Sequence, residues 1–151
     1  MGGKRRQLPV SDGRPNPAAL DVHSVEVYAV TAKGIILYQP KKHMLQSVAE
    51  GDFCMATTTG QGFVGEAPLT LVYVGNSSAW ENAGRALLED KQLLVDSIAA
   101  GAMAQSVALE TAADGIGTCL RDSVNNEAFG ETARLQDGQT ILLAQPLGGL
   151  P

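Results

Sequence analysis

The run LTLVYVGN, Leu69 to Asn76, constrains this chain more than any other stretch. It is almost continuously apolar and rich in the β-branched and aromatic residues that suit a pleated surface. It lacks the period-2 alternation that would give a strand one wet face. A strand of this kind belongs in the middle of a sheet, covered on both faces. The rest of the chain must therefore supply flanking strands and the layers that cover them.

Both are legible. In SVEVYAVT, Val25, Val27 and Ala29 alternate with Glu26 and Tyr28, which predicts a strand. AKG is a turn and IILYQP a second strand, so the two form a hairpin whose connection contains Gly34. Met44 to Val48 is a further short strand, closed by a turn at Gly51-Asp52. The stretch from Phe53 to Glu66 is poorly patterned, with room for a short helix. After NSSAWENAG, a helical pattern runs from about Leu87 to Ala113. Its expected core stripe is Leu87, Leu88, Leu94, Val95, Ile98, Met103, Val107 and Leu109. Small residues crowd IAAGAMAQSVA, which allows another backbone to come close. GTCLRDSV is a short strand or extended link. NNEAFGETARLQ is a short helix N-capped by Asn125 or Asn126, and QTILLAQPLG is a last strand. The order predicts an α+β fold, an antiparallel or mixed sheet packed on a long central helix. Residues 1–22, with Pro9, Pro15 and Pro17, are expected to form an irregular arm, and residues 23–151 a single domain.

Composition narrows the function. With 5% aromatic residues and a net charge of −5, the 151-residue chain is a poor candidate for nucleic acid. The one basic cluster, Lys4-Arg5-Arg6, reads as a solvated tail. No apolar leader and no run of about 18 apolar residues stands out, so a cytoplasmic location without a membrane partner is expected. Cys54 and Cys119 are far apart and outside any CxxC, and both are expected to be small buried hydrophobes. The two histidines and two cysteines have no metal-ligand spacing, and the phosphate-loop, dinucleotide and nucleophile-elbow motifs are missing. Paired acids such as Glu89-Asp90 have the look of a solvated helix face.

DGIGTCL, following the long helix, admits two readings. Gly115 can cap the helix in a left-handed conformation and Gly117 can turn the chain into a strand. Alternatively, Gly117 and Thr118 lie beneath a flat ring and offer it backbone and hydroxyl contacts.

GAMAQSVALETAADGIGTCLR resembles the helix-to-strand segment of the nitroreductase superfamily of flavoproteins, where a small-residue helix with a Gln runs into Gly-Leu-Gly-Thr-Cys. VEVYAVTAKGIILYQPKKHMLQSVAEGDF, GQGFVGEAPLTLVYVGN and ILLAQPLGGLP are similar to three further segments of SagB-type and related members, in the same order. The resemblance runs from about Gly13 to Pro151. It implies an intertwined homodimer with FMN at the subunit interface. It also implies ping-pong transfer of hydride from NAD(P)H through the flavin to a small-molecule acceptor, with the chemistry carried by the cofactor.

On that resemblance the flavin-floor residues are Ile116, Gly117 and Thr118. Ala18, Asp21 and His23 stand where the family has a Ser, an Asn and a Gln that contact the flavin, and Arg14 matches a basic position. Ala18 has no hydroxyl, Asp21 accepts only, and the family's phosphate-binding arginines have no counterpart here; Lys4, Arg5 and Arg6 do not reproduce their spacing. Reduced FMN affinity is therefore expected. The chain also stops at Pro151, short of a basic arm that typical members carry. The alternative reading is a catalytically degenerate relative that serves as a binding or scaffold subunit. A third is a small α+β ligand-binding domain.

Overall fold

The structure is a computed structural model that describes residues 18–149. Most of the expected N-terminal arm, including Lys4-Arg5-Arg6 and Arg14, lies outside the described residues. Six strands, β1 (Val25–Thr31), β2 (Gly34–Gln39), β3 (Met44–Glu50), β4 (Leu69–Asn76), β5 (Ile116–Thr118) and β6 (Gln139–Gly149), form one sheet in the order β3-β2-β1-β4-β6-β5. Every pairing is antiparallel. The apolar strand β4 lies inside the sheet between β1 and β6, as its composition requires. Four helices complete the fold: α1 (Gly62–Gly65), α2 (Ser77–Asn82), α3 (Glu89–Ala113) and α4 (Asn126–Ala133).

Two sequence choices hold the sheet in register. Gly34 opens β2, and a Cβ there would sit 2.2 Å from the Ala49 carbonyl oxygen, so β3 can approach only a glycine. Pro146 falls inside β6, where a missing N–H ordinarily breaks a ladder. The β6 residues beside it pair with Thr118 at Leu147 and with Arg121 at Ala144, so Pro146 faces the gap between those pairings, where β5 has already ended.

The faces of the sheet are covered differently. On one side Tyr28, Val30, Val72 and Val74 pack against Phe129 and Ala133 of α4 and against Cys54. Tyr28 meets Phe129 edge-on, with ring centroids 5.9 Å apart. Asn125 caps α4, its side chain accepting from the Ala128 N–H at 3.1 Å. On the other side α3 lies over Val25, Val27, Leu71, Tyr73 and Leu143 through Ala100 and Ala104.

The expected stripe of α3 is corrected here. Its buried residues are Asp96, Ala100 and Ala104, while Leu88, Leu94, Ile98 and Leu109 are exposed, Ile98 by 63% and Leu109 by 67%. Small side chains let the helix settle close to the sheet. Of the expected stripe, Met103 also packs there and Leu87, Val95 and Val107 are half-buried, while Leu88, Leu94, Ile98 and Leu109 are left on the outside. By length and composition Glu89–Ala113 would also cross a bilayer, the one such helix among the described residues. Its buried Asp96 and its packing on β4 and β6 tie it into the fold. Cys119 is corrected as well: Cys54 is buried as expected, but Cys119 is exposed because it sits in the gap between β5 and the Arg121 bridge.

Candidate functional site

The end of α3 is built as DGIGTCL suggests. Gly115 takes φ +71, the left-handed cap that lets the chain leave the helix and enter β5. Gly117 and Thr118 then pair with Gly148 and Leu147 of β6. Beside this short ladder is a slot of about 500 Å³. Gly117, Thr118, Gly148 and Gly149 line one part of it, and Phe63, Val64, Ala67 and Pro68, from α1 and the link into β4, line another. A Cβ at Gly149 would meet nothing, and one at Gly148 only Pro68 at 3.8 Å, so this floor is flat and open.

The Thr118 hydroxyl is buried and has no partner among the described residues. A buried hydroxyl left unbonded costs on the order of 1–3 kcal/mol. The Thr70 hydroxyl inside the sheet is unbonded in the same way, and it is the adjoining slot that singles out Thr118 as one a ligand's polar group could satisfy. Glu66 is the one charged side chain lining the slot; no Lys or Arg does so among the described residues. The surroundings thus suit a flat, largely apolar ring with a hydrogen-bonding edge, and they do not suit a phosphate.

The remaining sequence candidates lie elsewhere. Ile116 is in β5, half-buried and paired with Gly149. Ala18 precedes a 3-10 turn, Ala19–Asp21, in which Leu20 and Asp21 have left-handed backbone (φ 52° and 61°). Asp21 is exposed, and its Oδ1 stands 3.7 Å from His23 Nε2. His23 lines a separate cleft of about 300 Å³ with Val25, Val27, Leu37, Tyr38 and Met103. The strand registers give the separation. His23 is two residues before Val25, which pairs with Gly75, whereas Thr118 pairs with Leu147, which pairs with Leu69. Gly75 and Leu69 are six positions apart on β4, about 20 Å at ~3.3 Å per residue. A single chain therefore keeps Asp21 and His23 at the opposite end of the sheet from Gly117 and Thr118.

The sequence reading missed the other half of the slot. Gly148-Gly149 was legible as a glycine pair ending a strand, and Phe63 and Val64 fall in the family-like run GQGFVGEAPLTLVYVGN, but their poorly patterned stretch gave no sign that they face β5 and β6. A second missed residue is Arg121, 9% exposed, whose guanidinium bonds Gln61, Thr57, Thr58 and Ser123 beside the slot.

A family model, the nitroreductase family, matches residues 10–149. The chain belongs to the nitroreductase family. Among solved structures, a nitroreductase homologue from Ralstonia eutropha JMP134 is 29% identical, with a TM-score of 0.79 over 92% of this chain and 64% of that one. The Escherichia coli microcin synthetase complex McbBCD, with truncated pro-MccB17 bound, contains a chain 16% identical, with a TM-score of 0.78 over 96% of this chain and 59% of its own. A Staphylococcus epidermidis protein described as an NAD(P)H:FMN oxidoreductase is 12% identical, with a TM-score of 0.60 over 93% and 73%. The last two likenesses show the fold alone. No curated protein gives a significant match. The chain spans about three fifths of the length of the first two neighbours.

Proposed function

We propose that this nitroreductase-family chain is one protomer of an FMN-dependent oxidoreductase that takes reducing equivalents from NAD(P)H and passes them to a small acceptor. The observation that carries the reading is the unpartnered Thr118 hydroxyl beside the glycine floor of the slot. Bound FMN supplies the redox chemistry, and the protein's part is to hold the ring flat, present Thr118 to its polar edge and keep water from one face. The Staphylococcus epidermidis neighbour's designation agrees with this cofactor and co-substrate.

The reading needs a second copy of the chain. Asp21 and His23 reach a ring resting on Gly117 and Thr118 only from another protomer, since their own is about 20 Å out of reach. A cytoplasmic homodimer with a site at each interface satisfies that geometry. Phosphate contacts must come from residues outside the slot described, with Arg14 the candidate in this sequence. FMN affinity is accordingly expected to be low.

Titration of purified protein with FMN, followed by visible absorption and flavin fluorescence, tests the proposal. Saturable quenching with a shifted flavin spectrum is expected, and protein that leaves the spectrum of added FMN unchanged rejects it. A slot with no Lys or Arg among its described lining residues favours a second reading, a relative that keeps the fold as a binding or scaffold subunit. Reduction of a nitroaromatic by the isolated protein with NAD(P)H excludes that alternative.

A further inference from the structure

Arg121 is a buried cation with no acidic partner among the described residues, and that combination needs a reason. Its Nε donates to Gln61 Oε1 at 2.8 Å and Nη1 to the Thr57 carbonyl at 3.2 Å. Nη2 donates to Thr58 Oγ1 at 2.9 Å and to the Ser123 carbonyl and hydroxyl at 3.1 and 3.2 Å. Every acceptor is neutral, so the desolvated charge is solvated by dipoles alone, a costly way to fill a core position that an apolar side chain of the same volume would fill as well or better. What the guanidinium gains is reach. Its fork fixes three points in and just after the turn at Cys54–Thr57, the last of them the residue before α1. Its main chain meanwhile exchanges hydrogen bonds with Ala144 of β6 at 2.9 and 2.7 Å.

α1 has four residues, too few to persist unaided. It nonetheless supplies Phe63 and Val64 to the slot whose floor is β5 and the end of β6. We infer that Arg121 is the positioning residue of this slot, tying its α1 wall to its β-sheet floor at the spacing a flat ring requires. The inference rests on the flavin reading of the slot.

The test compares wild type with Arg121→Met, Arg121→Lys and Gln61→Ala by hydrogen exchange of FMN-free protein and by FMN titration. Loss of several charge-assisted bonds in Arg121→Met should speed exchange at residues 58–66 and weaken FMN binding, each by about tenfold or more. Exchange in β1 and β4 should stay at the wild-type rate. Arg121→Lys, a point charge without the fork, should recover part of both effects, and Gln61→Ala should show a smaller loss in the same direction. The inference is overturned if Arg121→Met leaves exchange at 58–66 unchanged, if exchange rises equally in β4, or if FMN affinity survives a loosened wall. Wild type that binds no FMN rejects the flavin reading instead, and the exchange comparison then decides alone whether Arg121 holds the wall.

Discussion

Asp96 shows how a single residue can anchor this fold without any sequence signal. It is only 5% exposed, and its Oδ1 accepts from the Ser24 hydroxyl and, at 3.2 Å, from Trp80 Nε1. It thereby joins the start of β1, α2 and α3 at one point. Gly75 is its counterpart on the sheet, because a Cβ there would stand 2.9 Å from Asp96 Oδ2. Burial pushes the carboxyl above its ordinary value of 3.8, against the pull of the two hydrogen bonds. The folded state then holds this proton more tightly than the unfolded chain, so this group's contribution to stability falls as pH rises from about 3.8 through the raised value. Asp96→Asn keeps an acceptor for Ser24 and Trp80 and removes the titration. Thermal melts between pH 4 and 8 should show a flatter profile for the variant, and a slope matching wild type would refute this account. Asp96→Ala strands two buried donors and should cost about 2–4 kcal/mol at pH 7 by urea unfolding. The cysteines give a second residue-level expectation. Burial, with the thiol's hydrogen bond to the Asp52 carboxylate adding to it, raises the Cys54 thiol, and Cys119 is exposed. A thiol reagent should titrate one cysteine per native FMN-free chain and two in denaturant.

Among the elements, β4 and α3 mark the two limits of what the sequence discloses. The central place of β4 follows from its composition alone, because an alternating strand can tolerate water on one face and this one cannot. The extent of α3 was equally legible, but not its orientation. Leu94, Ile98 and Leu109 fall within about 60° of one another at ~100° per residue, a stripe that by itself reads as the core face. The sheet instead takes the opposite side, where Asp96, Ala100 and Ala104 lie. Periodicity identifies a stripe and cannot say whether a sheet or a second chain covers it. The candidate site was half legible for a similar reason. Gly115, Gly117 and Thr118 announce themselves by backbone chemistry, while Phe63 and Arg121 join them only through tertiary contacts. Close packing of α3 is itself testable. Ala104 is 1% exposed and its carbonyl accepts from Gln145 Nε2 at 3.0 Å, while Gln145 Oε1 accepts from the buried Tyr73 hydroxyl at 2.7 Å. Ala104→Leu must push the helix outward and break that relay, at a cost of about 1–3 kcal/mol. At ~2–4 °C per kcal/mol for a domain of this size, the melting temperature should fall by about 2–12 °C. Glu110→Ala, exposed on the same helix and away from the Leu94–Ile98–Leu109 stripe, should leave it within about 2 °C, since surface changes stay near ±0.5 kcal/mol.

For the molecule as a whole, the exposed stripe of α3 and the split candidate site pose a single problem. Burying each large aliphatic side chain is worth about 1.5–3 kcal/mol, so a helix that leaves Leu94, Ile98 and Leu109 in water forgoes a substantial part of the stability it could have. The residues the family resemblance assigns to one flavin are meanwhile held at opposite ends of one sheet. A second copy packed on α3 would relieve both at once, covering the stripe and bringing a foreign Asp21 and His23 toward Gly117 and Thr118. The chain should therefore run at twice its own mass by light scattering. Ile98→Glu, at a site 63% exposed in the protomer, should be harmless to the monomer's fold but should place a charge in the covered face. That variant should run at the mass of one chain, keep its far-ultraviolet circular dichroism, and lose FMN binding along with dimerisation. If it dissociates and still binds FMN as wild type does, the site is complete within one protomer and the register argument for a shared site fails. If it remains dimeric, the stripe faces something other than a second copy of this chain.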